Sequence, residues 1–295
     1  VELYAMADLF QDKVDESLAQ LRKEVADKVN VSADRIFLGF DAYQKVLAMD
    51  EVDIVLLLTP PVFRPTHVAD AVKAGKSIFM EKPGAVDPTG IRSLLKSADE
   101  ADAKGVSIGV GTQQRYAPQY IELIQRIWDG QIGELRMLKA LWICDMVDWH
   151  FAHRKSEWSD MEWQIRRWLF ITWLSGDFIV EMHVHNLDVM NWAFNAHPVQ
   201  CIGMGGRQVR TGPEYGNCYD HFAVEYEYPN GVRVEYMGSQ IDGVSNRNDQ
   251  RLVGTKGRAY TDFGRVVIEG PGKAEYAWDS IDPCIKQHAD QIAAI

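Results

Sequence analysis

The chain has no apolar run long enough to cross a bilayer; its longest apolar stretch, VDIVLLLTPPVF, is strand-sized. A soluble protein is expected, in the cytoplasm unless a leader lies upstream of Val1. Nor is there an excess of positive charge. Lys and Arg total 31 against 42 Asp and Glu, a net charge of -11 whose field repels polyanions, so nucleic acid is excluded as the expected partner. Cysteine is sparse: Cys144, Cys201, Cys218 and Cys284 lie far apart without metal-ligand spacing, as reduced core thiols do. Internal repeats and low-complexity tracts are absent. What is present is 46% hydrophobic content over 295 residues, enough for a core in one large or two ordinary domains.

The first hundred residues alternate strand-like and helix-like segments. VELYAMAD reads as an apolar strand, and DKVDESLAQLRKEVADKV has helical periodicity. RIFLGF, VDIVLLLT, SIFMEKP and VSIGVGTQ read as further strands, separated by helical DAYQKVLAMD, RPTHVADAVKAGK and PTGIRSLLKSADEADAKG. Such alternation predicts a parallel sheet with right-handed crossovers, a doubly wound α/β domain over 1–114. From about residue 130 strands dominate: ELRMLKALWI, PVQCIGMG, HFAVEYEYPNGVRVEYMGSQ, QRLVGT and RVVIEG, with Pro-Asn-Gly as a hairpin turn. Residues 115–295 are therefore expected to form an α+β domain with a large, mostly antiparallel sheet, against which one long helix over DFIVEMHVHNLDVMNWAF packs.

Residues 77–84, SIFMEKPG, run a strand into Glu81 and Lys82 and then lock the backbone with Pro83. Proline stops ladder pairing and holds the preceding residue extended, so Lys82 is aimed from the carboxyl end of a parallel strand, where such folds bind ligands. The alternative is a surface lysine capping a strand. Glu181 and His185 are four apart, which puts them on one helix face, where the carboxylate would orient the imidazole and raise its basicity. His183, about 200° round that helix from Glu181, either reaches a ligand or packs beside the sheet. On a strand, Glu181, His183 and His185 would form a metal-binding triad, but the helical periodicity of NLDVMNWAF opposes this, and no metal is expected.

Both ends read as cut. Asp8 fits the acidic position that follows a glycine-rich phosphate turn by about 20 residues in a dinucleotide fold, yet seven residues precede it. The turn and the first strand are expected upstream of Val1. GVGTQQ, at 109–114, mimics the phosphate fingerprint but lacks its third glycine. PCIKQHADQIAAI stops within an amphipathic helix that presents Ile285, Ala289 and Ile292 on one face.

TPPVFRPTHVADAVKAGKSIFMEKPG resembles the stretch of the glucose-fructose oxidoreductase and inositol dehydrogenase family (Gfo/Idh/MocA) that runs from a Thr-Pro turn through a histidine-bearing helix to Glu-Lys-Pro. GDFIVEMHVHNLDVMNW resembles the family's acid, three residues, histidine segment, and GTQQRYAPQYIELIQRIWDGQIGEL its interdomain helix and the start of its large sheet. The three motifs follow the family's order. The resemblance implies a Rossmann-like domain lacking its first strand and glycine-rich turn, and a hydride transfer between NAD and a secondary hydroxyl of a sugar, polyol or glycoside. It places the site between the two domains. Lys82 would stabilise the developing alkoxide and His185 would act as acid/base, with Glu181 where the family commonly has aspartate. Thr59, Pro60, Pro61, His67, Glu81 and Lys82 would line the cofactor cleft. Asp8 would bind the ribose hydroxyls and favour NAD over NADP, since a carboxylate repels a 2′-phosphate. Arg115 and Tyr116 would reach the substrate.

Six of nine tryptophans, Trp142, Trp149, Trp158, Trp163, Trp168 and Trp173, fall within 32 residues. Their rings suit pyranose faces, with Trp168 the substrate-binding candidate; packing under a long loop or at a subunit interface is the alternative. A homo-oligomer through the large sheet is expected. Two other functions would use the same residues: an NAD-dependent glycosidase acting by transient oxidation, and a non-catalytic sugar-binding or scaffold protein. Because pyrophosphate binding relies on backbone N–H groups at a helix N-terminus, residues 1–295 alone are expected to be inactive and to bind NAD weakly. Micromolar NAD affinity by calorimetry would contradict that expectation.

Overall fold

The computed structural model describes residues 1–147, 153–262, 264–277 and 282–295. The first unit alternates as its sequence pattern dictates: β1 (Met6–Asp8), α1 (Gln11–Val25), β2 (Ile36–Leu38), α2 (Ala42–Leu47), β3 (Ile54–Leu57), α3 (Arg64–Lys73), β4 (Ser77–Met80), α4 (Pro88–Lys104) and β5 (Ile108–Val110). Helix α4 shows why the boundaries fall where they do. Asp87 caps it by accepting the Gly90 N–H, Pro88 fits its first turn, and Gly105 ends it with φ 67. All strand pairs here are parallel, in two pieces, β1-β2 and β3-β4-β5. Among the described residues the outer edges of β1 and β3 carry no strand partner. Ile78 and Phe79 of β4 are buried on both faces, as a central parallel strand requires.

The second unit contains α5 (Pro118–Trp128), β6 (Leu135–Cys144), α6 (Asp160–Arg166), α7 (Thr172–Ser175), α8 (Phe178–Glu181) and α9 (Val184–Phe194). Seven more strands follow: β7 (Gln200–Gly206), β8 (His221–Glu227), β9 (Arg233–Gln240), β10 (Arg247–Gly254), β11 (Arg258–Asp262), β12 (Arg265–Glu269) and β13 (Ala274–Ala277). The sheet order is β13-β12-β11-β10-β6-β9-β8-β7, antiparallel except where β6 meets β9. Its core is made by Leu123, Ile124 and Ile127 of α5 and Met190 of α9 against Leu138, Val234, Tyr236, Leu252 and Val266. Strands β11 and β13 go beyond the sequence expectation. RAYTD and AEYA are short and half polar, and antiparallel pairing with β12 defines them.

One expectation is corrected. The long helix over 177–194 is interrupted: both Met182 and His183 donate their N–H to the Phe178 carbonyl, an extra residue in the turn that separates α8 from α9. The last helix, α10 (Pro283–Ala293), turns its apolar stripe outward, leaving Ile285 68% and Ile292 49% exposed. Its polar face is the buried one. Gln291 fills the space over Gly109 and donates to the Ile78 carbonyl at 2.5 Å, while the His288 ring packs on Phe79 at 4.2 Å. A buried backbone carbonyl requires a donor, and the glutamine provides it. Thus α10 returns from the second half of the chain to the first unit.

At the start of α9, His183 is fully buried between Trp142, Phe222 and Tyr236, and its ring occupies the space above Gly238 that a methyl group would need. Gly238→Ala is predicted to destabilise the fold by about 1–3 kcal/mol, the usual cost of overpacking a filled core, measured by denaturant unfolding.

Candidate active site

Strand β4 ends at Met80, and the next three residues are held individually. The Glu81 N–H donates to the Leu57 carbonyl at 3.2 Å, which keeps the chain beside β3 for one more residue. The Glu81 carboxylate accepts the Lys82 N–H at 3.1 Å and lies against Gly111, where any side chain would overlap it. Lys82 then crosses to the second unit. Its Nζ donates to the Glu181 carbonyl at 2.6 Å and to Glu181 Oε1 at 2.7 Å, with the two side chains only 14% and 8% exposed. An ammonium has three donors, so one N–H remains uncommitted to Glu181. The other carboxylate oxygen, Oε2, is buried without a hydrogen-bond partner.

Helix α8 is started by Asp177, which adopts φ 71, and its carboxylate accepts the N–H groups of Phe178 and Tyr219. This fixes Glu181 at the far end of a single helical turn. His185 lies in the first turn of α9, 6% exposed, stacked on Trp142 with ring centroids 5.8 Å apart. Burial, reinforced by the Lys82 charge, lowers its pKa to about 3, so the imidazole is neutral at physiological pH. Its Nδ1 is buried without a partner. The next residue, Asn186, is fully buried and donates to the Leu141 carbonyl at 2.9 Å and to Asn248 at 3.1 Å, while Gln250 donates to its Oδ1. These bonds anchor the first turn of α9 to β6 and β10, and with it His185.

The expected Glu181–His185 pairing is replaced by Glu181–Lys82. The break at Met182–His183 shifts the helical phase, so a spacing of four no longer brings the two side chains together. His183, a substrate candidate, is 0% exposed and set into the sheet; burial lowers its pKa to about 3. Arg115 is engaged by Asp188 through two 2.8 Å bonds and stacks on Trp192 at 4.8 Å, while Tyr116 is half-buried beside it. His67, on α3, is 9% exposed. Its Nδ1 is 3.3 Å from Thr59 Oγ1 and its ring packs on Tyr43, so it steadies the Thr59-Pro60-Pro61 turn from inside. Burial lowers its pKa to about 4, against the opposing charge of Asp70. Asp8 ends β1 with Oδ1 accepting the Phe10 N–H at 2.9 Å.

The segment from α6 to α7 covers the carboxyl ends of β1 and β3. Ile165, Ile171 and Leu174 pack with Leu9, Phe10, Val62 and Phe63, and Arg166 binds Asp12 at 2.8 and 3.0 Å while stacking on Phe10. Trp168 belongs to this packing, not to an open wall. Trp158 and Trp163 stack on each other, and Trp173 donates to Gln164. Trp142 is the ring beside His185; Trp149 lies outside the described residues. Among the described residues, no group of three His, Cys, Asp or Glu could hold a metal, and no helix is long and apolar enough to cross a membrane. Sequence reasoning missed Trp142 as the histidine's partner, the Asn186 anchor and the Asp188 acceptor. It also missed Arg64, 2% exposed, which donates to the Pro83 carbonyl at 2.5 Å.

Comparison with known proteins identifies both units. Residues 12–110 match the NAD-binding Rossmann fold of the oxidoreductase family, and residues 120–260 match the GFO/IDH/MocA C-terminal domain. The chain is 30% identical over 249 residues to inositol 2-dehydrogenase of Rhizobium meliloti (strain 1021), covering 82% of this chain and 68% of that protein. Its fold is shared with aldose-aldose oxidoreductase from Caulobacter crescentus, at TM-score 0.72 and 17% identity over 97% of this chain and 79% of the other. A 3-ketoreductase from Actinomadura kijaniata, solved with NADP and TDP-benzene, aligns at TM-score 0.70 and 16% identity over 99% of this chain and 82% of the other.

The buried histidines make stability depend on pH. His183 falls from 6.5 to about 3 on folding, so above pH 6.5 neither state takes a proton. Below it the unfolded chain binds a proton that the folded chain excludes, and stability drops as the pH falls from about 6.5 toward about 3. Between pH 7 and pH 5, His183→Leu should lose about 2 kcal/mol less stability than the parent, read from urea unfolding at the two pH values.

Proposed function

Because the chain belongs to the GFO/IDH/MocA oxidoreductase family, we propose that it forms the catalytic part of a nicotinamide-dependent oxidoreductase acting on a secondary hydroxyl of a sugar or polyol. One observation carries the reading: Lys82, at the carboxyl end of β4, is bound to Glu181, 99 residues away, with its charge felt by a buried neutral His185. The residues present fit a nicotinamide dinucleotide. Asp8, the Thr59-Pro60-Pro61 turn and Glu81-Lys82 lie at or just beyond the carboxyl ends of β1, β3 and β4, the edge on which doubly wound sheets bind nucleotides. The Asp8 carboxylate favours NAD, although the 3-ketoreductase relative in fold was solved with NADP.

Bound nicotinamide supplies the hydride acceptor. The chain supplies the proton and charge chemistry. His185, neutral because it is buried, accepts the hydroxyl proton as general base. The free N–H of Lys82 faces the oxygen on which negative charge develops. Glu181 fixes the ammonium by its carbonyl and one carboxylate oxygen, so the group is oriented before substrate arrives. The α6–α7 segment, packed over Leu9, Phe10, Val62 and Phe63, shields this edge of the sheet from water. The reading of self-association through the large sheet is supported by Ile202 and Met204 of β7, apolar side chains 73% and 77% exposed.

In an NAD-binding form of the protein, Lys82→Met is predicted to lower turnover about 100- to 10,000-fold while leaving NAD affinity within a few-fold. His185→Ala should lose a similar factor, and the double variant little more, since the two groups serve one step. The assay follows NADH formation over a panel of inositols, pyranoses and glycosides. Near-normal turnover by Lys82→Met would refute the scheme, and release of an aglycone without net NADH would mark a glycosidase.

A further inference from the structure

Arg64 opens α3 and is 2% exposed, yet no step above uses it. A cation at a helix N-terminus opposes the helix dipole, and a guanidinium withdrawn from water is costly, so this position requires a local cause. Part of the cause is a bond of 2.5 Å from Arg64 Nη1 to the carbonyl of Pro83, the residue immediately after Lys82. The rest is charge. Burial lowers the Arg64 pKa to about 10, and the carboxylates of Glu81 and Glu181 act against that loss. Arg64 Nε and Glu181 Oε2 are both buried and both lack a hydrogen-bond partner.

We propose that Arg64 is a positioning residue, the second cation serving the Glu181 carboxylate, which holds the chain beyond Lys82 and leaves the third ammonium N–H free for the substrate oxygen. This rests on the reading of Lys82 given above. Lys82 binds Glu181, Arg64 of α3 feels the charges of both Glu81 and Glu181, His67 of α3 feels Arg64, and His185 of α9 feels Lys82. With both histidines neutral, two cations balance two carboxylates. Without Arg64, Lys82 alone would face two negative charges. It would be drawn more strongly to the carboxylates and away from the substrate, and Glu181 would take a proton at higher pH. A purely structural arginine, present only to bond the Pro83 carbonyl, would leave that protonation unchanged once another donor replaced it.

The test reads Glu181 directly and needs no substrate. In the full chain labelled with ¹³C at the glutamate carboxyl carbon, the Glu181 signal is assigned by its loss in Glu181→Gln and followed against pH. Arg64→Met is expected to titrate Glu181 at a higher pH than the parent, whereas Arg64→Lys, which keeps the charge, should titrate with the parent. Arg64→Gln keeps a donor for the Pro83 carbonyl but no charge, and should shift as Arg64→Met does; it also decides the matter if Arg64→Met does not fold. An unshifted titration in Arg64→Gln, or a shifted one in Arg64→Lys, would overturn the proposal. Failure of the Lys82 reading would appear separately, as normal turnover in Lys82→Met.

Discussion

Two short bonds from one ammonium to Glu181 are the constraint on which the geometry between the two units depends. Another charged contact between the units, Arg166 with Asp12, is more exposed on its acidic side, where Asp12 is 52% exposed against 8% for Glu181. Exposed pairs of this kind contribute about 0–1 kcal/mol and tolerate movement. The Lys82–Glu181 pair is different, because removing either partner would strand a charge away from water. A buried ion pair is weak evidence of stabilisation, since its desolvation offsets most of the attraction. Its effect is to select one arrangement: the carboxyl end of β4 faces the α8–α9 junction, and other alignments leave a charge unpaired.

That junction divides the chemistry. Had α8 and α9 formed one helix, Glu181 and His185 would share a face, and the carboxylate would hold the imidazole closer to its charged form. The extra residue at Met182–His183 sends Glu181 to Lys82 and leaves His185 to Trp142. The imidazole is then governed by burial and by a nearby positive charge, both of which favour the neutral base. The Glu181 carboxylate thus serves the ammonium and not the imidazole, which desolvation keeps neutral.

The alternation of the first unit and the antiparallel half were legible because burial on two faces or one writes a period into the sequence. Lys82 was legible because a proline after a strand end has few other uses. Three features were not. The helix break lies in FIVEMHVHNL, where no glycine or proline marks it, and it is fixed by Asp177 bonding to Tyr219, a contact 42 residues away. The inward polar face of α10 answers a backbone carbonyl, which side-chain periodicity cannot reveal. Arg64 was visible as a cation at the wrong end of a helix, a signal that acquires meaning only when Glu81, Glu181 and Pro83 are known to surround it.

The two glycines of GVGTQQ explain why that stretch imitates a phosphate loop. Gly109 leaves room for Gln291 and Gly111 for the Glu81 carboxylate, so each glycine admits a side chain from elsewhere and not a ligand. Both guests act on β4. Gln291 from α10 holds the Ile78 carbonyl, Glu81 holds the Lys82 N–H, and the Gly111 N–H holds the Met80 carbonyl at 2.9 Å. Beyond the strand, Glu181 holds the Lys82 ammonium and Arg64 the Pro83 carbonyl. Segments spread along most of the chain therefore converge on the six residues from Ile78 to Pro83, and together they determine the direction of one charged group. A positive charge fixed in this way requires no reorganisation when negative charge develops on a nearby oxygen, which is the condition under which an electrostatic group lowers a barrier most.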